Sequence, residues 1–347
     1  PGLSVVKAVV EAAGGHIELA DSALGGAEFV VELPLAPREQ PAEGQEPAEG
    51  EPPPLRVVIV GGVAAGPKAA AKVIRLAPRA QVTVVEKGKF MSYAGCGLPY
   101  YVSGVVQSHH ELMSSPLGVV RDPVFFQNVK NVQVMNQAEA VAIDRDSRRV
   151  QVRDLAGRSE TWLDYDKLVL ATGAVPVVPN IPGRHLAGVF GLHGVRDAEG
   201  IRHALAQTRA HDVVIIGGGL LGGEATEALV QKGARVTIGA MQPPVLKILD
   251  WEMARLVQNH LLHRGVKVLT QTTVHELAGD VNGNVAGAVT SAGRLPADMV
   301  ILAIGVRPND VIVGVNRKGV KTLADYRRLM RTVDPDDGVL LRLRSGD

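Results

Sequence analysis

Leu55-Arg-Val-Val-Ile-Val-Gly-Gly-Val-Ala-Ala-Gly66 is an apolar run that stops abruptly at paired glycines. The run reads as a buried strand, and the glycines end it. Helical spacing then continues to Leu76, and a second apolar strand covers Val82–Glu86. Strand, helix and strand over about 30 residues make a βαβ unit. The same pattern returns at Asp212-Val-Val-Ile-Ile216, followed by Gly217, a helix to Gln231 and a strand at Arg235–Ile238. Two copies of one pattern form an internal repeat at domain scale.

A strand that stops at a glycine and feeds a helix aims backbone N–H groups and the helix macrodipole at one point, which suits a pyrophosphate. Gly217-Gly218-Gly219-Leu220-Leu221-Gly222 is a complete G-x-G-x-x-G, and Glu224 follows two places on. Gly61-Gly62-Val63-Ala64-Ala65-Gly66 departs from it, with Val63 at the middle glycine. Gly61 and Gly62 still permit the tight turn, and Gly66 permits close helix–strand packing. Glu86, ending the second strand, is placed to accept two ribose hydroxyls. One glycine loop alone is often only a turn; two in strand–helix context, with one acid, favour dinucleotide binding. In the second unit Ala240 stands where the acid belongs. Ribose recognition is then weaker and a 2′-phosphate is not repelled, so NADH against NADPH stays open.

The 347 residues are enough for two or three domains, and 46% are apolar. A formal net charge of +1 argues against nucleic-acid and polybasic membrane binding. Only 3% of residues are aromatic while 39 are glycine, which suits α/β architecture. No apolar run approaches the roughly 18 residues of a bilayer span, and Pro1-Gly2-Leu3-Ser4 opens no signal-peptide pattern. One cysteine excludes an internal disulfide, and a reducing, cytoplasmic setting is expected.

That cysteine, Cys96, lies in Ser92-Tyr-Ala-Gly-Cys-Gly-Leu-Pro-Tyr-Tyr101. Pro99 fits a first helical turn, so Cys96 is expected at or just before a helix N-terminus, a setting that suits a reactive thiol. The plainer alternative is a buried cysteine acting as a small hydrophobe. Lys68, Lys72 and Arg75, at i, i+4 and i+7, share a helix face; such faces are commonly just solvated. His109-His110 read as surface residues, since helix neighbours do not share a face, and no metal site is expected.

Val57–Gly66, Ser92–Tyr101, Leu168-Val-Leu-Ala-Thr-Gly-Ala174, Gly217–Glu224 and Ala303-Ile-Gly-Val-Arg-Pro-Asn309 together resemble the coenzyme A-disulfide reductase and NADH oxidase branch of the FAD-dependent pyridine-nucleotide–disulfide oxidoreductases. The resemblance implies an FAD-binding domain at 55–190 and an NAD(P)-binding domain at 191–309, both Rossmann-like. FAD would meet Gly61, Gly62, Ala64, Ala65, Gly66, Glu86 and Lys87, with Ala171-Thr172-Gly173 as the crossover into its domain. NAD(P)H would meet Gly217, Gly219, Leu220, Leu221, Gly222 and Glu224. Electrons would pass from NAD(P)H through flavin to Cys96 as redox nucleophile. Its substrate would be a small disulfide such as coenzyme A disulfide, a persulfide or a peroxide. Lys68, Lys72, Arg75 and Ser92 fall at places that contact coenzyme A in this branch. Gly95 replaces the branch's asparagine. The paired cysteines of the wider superfamily cannot form, because Tyr101 stands at the partner's place, which restricts Cys96 to mixed-disulfide, persulfide or sulfenate chemistry.

The flanks differ in kind. Residues 36–54 are rich in Pro, Glu and Gly and read as a linker. Before them, helical spacing at Leu3–Ala13, a Gly14-Gly15 stop and strands at His16–Ala20 and Glu28–Leu35 around Gly25-Gly26 resemble the end of a histidine-kinase ATP-binding domain (1–35). After Asn309 the family's second FAD motif and its dimerisation domain are expected to be missing. Strand–helix–strand spacing at Asp310–Asn316, Leu323–Met330 and Gly338–Arg344 resembles half of a PDZ domain (310–347). The competing reading is a non-catalytic composite in which nucleotide-binding units are flanked by interaction modules.

Overall fold

Val57 and Ile59 face one side of their strand and Val58 the other, and all three are buried. A strand apolar on both sides needs cover on both, and the architecture supplies it twice. The computed structural model describes residues 16–21, 27–32, 52–207, 212–308, 310–315, 318–319, 322–331 and 341–345. The chain divides into two compact bodies, Pro1–Pro53 and Pro54–Asp347.

In the Pro1–Pro53 body, β1 (His16–Asp21) and β2 (Ala27–Glu32) form an antiparallel hairpin with His16 opposite Glu32. Both expected strands are present over the described residues, and residues 33–35 of the second lie outside them. The helix expected at Leu3–Ala13 and the Gly25-Gly26 turn lie outside the described residues, as does the linker up to Glu51.

The Pro54–Asp347 body begins with β3 (Arg56–Val60), α1 (Ala65–Leu76) and β4 (Gln81–Glu86). An excursion follows, carrying α2 (Leu98–Ser103) and α3 (His109–Met113). Then come α4 (Pro123–Lys130), β5 (Val132–Asn136), the antiparallel meander β6 (Ala138–Asp144), β7 (Arg149–Asp154) and β8 (Glu160–Asp164), and the strands β9 (Lys167–Leu170) and β10 (Ala174–Pro176). After β11 (Val189–Phe190) and α5 (Val195–Gln207) the plan repeats with β12 (Asp212–Ile216), α6 (Leu220–Gln231), β13 (Arg235–Gly239), α7 (Trp251–His263) and β14 (Lys267–Leu269). A second meander, β15 (Val274–Gly279), β16 (Val285–Thr290) and β17 (Gly293–Pro296), leads to β18 (Met299–Leu302) and β19 (Val306–Pro308).

The two parallel sheets have the orders β5-β4-β3-β9 and β11-β18-β12-β13-β14. Each is helix-covered on one face and meander-covered on the other. Val57, Ile59, Val82 and Val84 pack with Ala70 of α1 and Phe126 of α4, while Val58 and Val85 pack with Val150 and Val152 of the meander. Val213, Ile215, Val236 and Ile238 pack with Ala225 and Leu229 of α6, while Val214 and Ile216 meet Leu277 and Ala288. This is the α/β fold with two Rossmann-like units that the sequence predicts.

The repeat extends to a detail that periodicity does not reveal. Asp166, just before β9, accepts from the Arg56 N–H at the start of β3 (2.8 Å), and Asp298, just before β18, accepts from the Asp212 N–H at the start of β12 (3.0 Å). β10 and β19, which occupy matching places in the two units, pair antiparallel with each other.

Beyond β19, β20 (Asp310–Val315) pairs antiparallel with β21 (Lys318–Gly319) and β22 (Leu341–Ser345), with α8 (Leu323–Met330) between them. This is the expected strand–helix–strand. No helix among the described residues is long and apolar enough to cross a membrane.

Candidate active site

Gly61 turns the chain at φ +111°, and a Cβ there would lie 2.1 Å from the Ala171 carbonyl oxygen. Only glycine fits a left-handed turn pressed so closely on another strand's exit. A Cβ on Gly66 would stand 1.8 Å from the Gly61 carbonyl oxygen, so α1 starts directly against the turn. The second loop is built alike: Gly217 has φ +117°, its Cβ would fall 2.3 Å from the Ala303 oxygen, and one on Gly222 would fall 2.1 Å from the Gly217 oxygen. Ala171 N donates to Val60 O (2.7 Å) and Ala303 N to Ile216 O (2.8 Å), which seats both crossovers. Gly173 and Gly305 follow at positive φ.

Neither α1 nor α6 has a side-chain cap or an acid in its first turn. Their leading N–H groups are thus presented as an anion cradle. Space over Gly219 is open for 4 Å around a virtual Cβ, so a phosphate can approach the backbone there. In the first loop Val63 is partly buried, while Ala64 and Ala65 are exposed at the mouth. Both loops therefore fit a dinucleotide diphosphate.

Glu86 sits one residue past the end of the β3–β4 pairing. Its Oε2 accepts from Gly62 N and its Oε1 from Gly88 N, each at 2.6 Å, so backbone donors fix the carboxylate beside the loop. The neighbouring Lys87 instead pairs with Glu139 at 2.8 Å.

Ser92 N donates to Gly62 O at 2.8 Å, and Ser92 itself adopts φ 52°. A non-glycine residue held in that region is uncommon, and it hangs the cysteine segment from the first glycine loop. Cys96 is exposed, in a 3₁₀ turn at Gly95–Gly97 that runs directly into α2, with Pro99 in the helix's first turn. The position before a helix N-terminus is as expected, and exposure removes the reading of a buried cysteine.

α2 does not rest on the first βαβ unit, that of β3 and β4. Leu98, Tyr101 and Val102 are buried in the core of the second, beside Ala225, Ala228 and Leu229 of α6 and Ile201 of α5. At roughly 1.5–3 kcal/mol for each buried large side chain, that docking is strong. Tyr101 is thus a core residue. Glu224, exposed on α6, shares a shallow cleft with Pro99 and Tyr100. Lys68, Lys72 and Arg75 are all exposed on one face of α1.

Three supporting residues carry no local sequence signal. Arg202 of α5 donates through Nη1 to the carbonyls of Tyr101 (3.0 Å), Gln107 (3.2 Å) and Val106 (3.4 Å), and its guanidinium stands 4.3 Å from the Tyr101 ring centroid. It holds the end of α2 from a place a hundred residues distant in sequence. Asp197 accepts from His193 N (2.9 Å) and Gly194 N (3.0 Å) at the start of α5. Tyr93 is half-buried; burial raises its hydroxyl pKa, and the charges of Glu86 and Asp197 add to the rise.

The histidine pair departs from expectation. His109 is partly buried, with its ring 4.7 Å from Phe90 and 4.4 Å from His110, and its Nδ1 lies 3.5 Å from Glu199 of α5. Burial lowers the His109 pKa and the His110 charge lowers it further, against the opposing pull of Glu199.

A family model described as pyridine nucleotide-disulphide oxidoreductase matches residues 55–335, running into the stretch compared above with a PDZ half domain. The chain is 37% identical over 254 residues to an NAD(P)H sulfur oxidoreductase (CoA-dependent) of Pyrococcus abyssi, covering 73% of this chain and 54% of the relative. An NADH oxidase of Methanocaldococcus jannaschii is 30% identical over 257 residues, 74% of this chain and 55% of the relative. A solved NAD-dependent persulfide reductase from A. fulgidus superposes with a TM-score of 0.71 at 40% identity, covering 74% of this chain and 47% of that one. The chain spans about half the length of the curated relatives it matches.

Proposed function

Because the chain belongs to the pyridine nucleotide-disulphide oxidoreductase family, we propose that it is the dinucleotide-binding part of an NAD(P)H-dependent flavoenzyme. Its single cysteine, Cys96, would reduce a small persulfide or disulfide of the coenzyme A type. One observation carries this reading: the cysteine segment is tied to the first glycine loop through Ser92 and Gly62, and its helix is buried in the unit that carries the second.

In this reading the domains divide at 55–190 and 191–309. Gly61, Gly62, Ala64, Ala65, Gly66, Glu86, Lys87 and the Ala171-Thr172-Gly173 crossover hold FAD. Gly217, Gly219, Leu220, Leu221, Gly222 and Glu224 hold NAD(P)H. When bound, the two cofactors supply the electron pair. The residues of the chain then do the rest. Cys96 Sγ attacks one sulfur of the substrate; its bond to that sulfur forms as the substrate S–S bond breaks, and the departing thiolate takes a proton. Two electrons and a proton return the Cys96 mixed disulfide to thiolate and free the second thiol. The exposed basic row Lys68, Lys72 and Arg75 suits the phosphates of a coenzyme A-like substrate. The pieces at 1–35 and 310–347 are flanking modules, similar in pattern to a histidine-kinase ATP-binding domain and a PDZ domain.

An absorption spectrum tests the reading. The chain incubated with FAD should show a flavin band that NAD(P)H bleaches, and Cys96→Ser should keep the band while losing disulfide reduction. A colourless protein sinks the enzyme reading in favour of a non-catalytic nucleotide-binding composite.

A further inference from the structure

Ala240 and Glu86 are structural counterparts. Val60 is in register with Val85, and Ile216 with Gly239, so each residue lies one step past the matching strand end. A Cβ on Gly62 would meet Glu86 Cβ at 2.7 Å, and one on Gly218 would meet Ala240 Cβ at 3.1 Å. The carboxylate that accepts from Gly62 N in the first unit thus has no equivalent in the second, where no described side chain accepts from Gly218 N. Val245 closes the space instead, its Cγ1 2.9 Å from the virtual Gly218 Cβ.

What replaces the acid is a pinned loop with a cation. Ala240 is 6% exposed, its N–H donating to Leu269 O (2.9 Å) and its carbonyl accepting from Thr272 N (3.0 Å). Leu246 N donates to Gly218 O at 2.6 Å, so the loop folds back onto the second glycine. Lys247 follows immediately, exposed, with its Nζ bonded to Gln242 Oε1. Pro243 and Pro244 lie between these partners and restrict the loop backbone. A lysine ammonium is thereby tied to Gln242, two residues past the position where an acid would otherwise exclude a phosphate.

We infer that the second unit prefers a nucleotide with a 2′-phosphate, NADPH over NADH, and that Lys247 is the specificity-determining residue that meets it. The inference rests on the second loop being a pyridine-nucleotide site. Binding is tested without turnover, by calorimetric titration of the full chain with adenosine 2′,5′-bisphosphate and with AMP. The bisphosphate should bind about tenfold tighter, the effect of one charge-assisted bond to phosphate. Lys247→Ala should remove most of that advantage and leave AMP unchanged. Ala240→Glu should reverse the preference; because Ala240 is buried, the exposed Lys247→Ala variant carries the test if Ala240→Glu does not fold. Equal affinities, tighter AMP, or an equal loss of both ligands in Lys247→Ala overturns the inference alone. If neither fragment binds, the nucleotide site itself fails, and the inference with it.

Discussion

Gly61 and Gly95 are both glycines of the candidate site, yet they answer to different demands. At Gly61 an added methyl group would meet the Ala171 carbonyl oxygen at 2.1 Å on a backbone of φ +111°. At Gly95 nothing lies within 4 Å of a virtual Cβ. Gly61→Ala should therefore cost at least about 3 kcal/mol, combining steric overlap with left-handed strain. Gly95→Ala should stay within about 0.5 kcal/mol. Denaturant midpoints of the two variants check this, and similar losses would overturn it. The first glycine was legible in the sequence because a strand running into Gly61-Gly62 demands a turn. The partner that makes it irreplaceable was not, since Ala171 is distant in sequence and arrives through a crossover. Glu86 shows the same division. Its place at a strand end was legible; the two backbone N–H groups that fix its carboxylate were not, since one comes from Gly62 across the sheet and the other from Gly88 in the turn that follows.

α2 is where local reading stops. Pro99 placed its start, and Cys96 before it followed, but Leu98, Tyr101 and Val102 give no hint that they bury in the other unit's core. That docking is long-range packing, set by α5 and α6 rather than by the helix's own six residues. Arg202 is its clearest support. Replacing it with alanine leaves the Tyr101, Val106 and Gln107 carbonyls without their charged donor and should cost about 2 kcal/mol. Thermal unfolding should read a lower midpoint, and the loss should reappear as faster exchange of α2 amides; an unchanged α2 would show the contact to be idle. The α3–α5 contact should respond to pH. The His109 pKa is lowered in the fold, so its contribution is fully present above the unfolded value of about 6.5 and is lost as pH falls through and below it. Wild type should lose more stability between pH 8 and pH 5 than His109→Gln does. Parallel pH profiles of the two melting temperatures would refute this.

Across the whole molecule the two parallel-sheet units repeat in order apart from the added edge strand β11, and the repeat was legible from the glycine loops and their flanking strands. The matching Asp166 and Asp298 contacts, and the pairing of β10 with β19, were not, because they relate places that no local pattern connects. The main break in the repeat is the excursion at residues 87–122, which in the second unit shrinks to the short loop after Ala240. If the excursion is part of the second core, α2 amides should exchange as slowly as those of α6, not at the rate of the exposed segment before them. Hydrogen exchange resolved by residue decides this, and fast exchange across α2 would overturn the docking. Cys96 then stands at midspan, between an anchorage at Gly62 and another under α6. Any rotation of one unit against the other has to be taken up within the few exposed residues around it. The thiol is in effect a strain gauge: its alkylation rate should change whenever a ligand draws the two halves together or apart, even one that never touches sulfur.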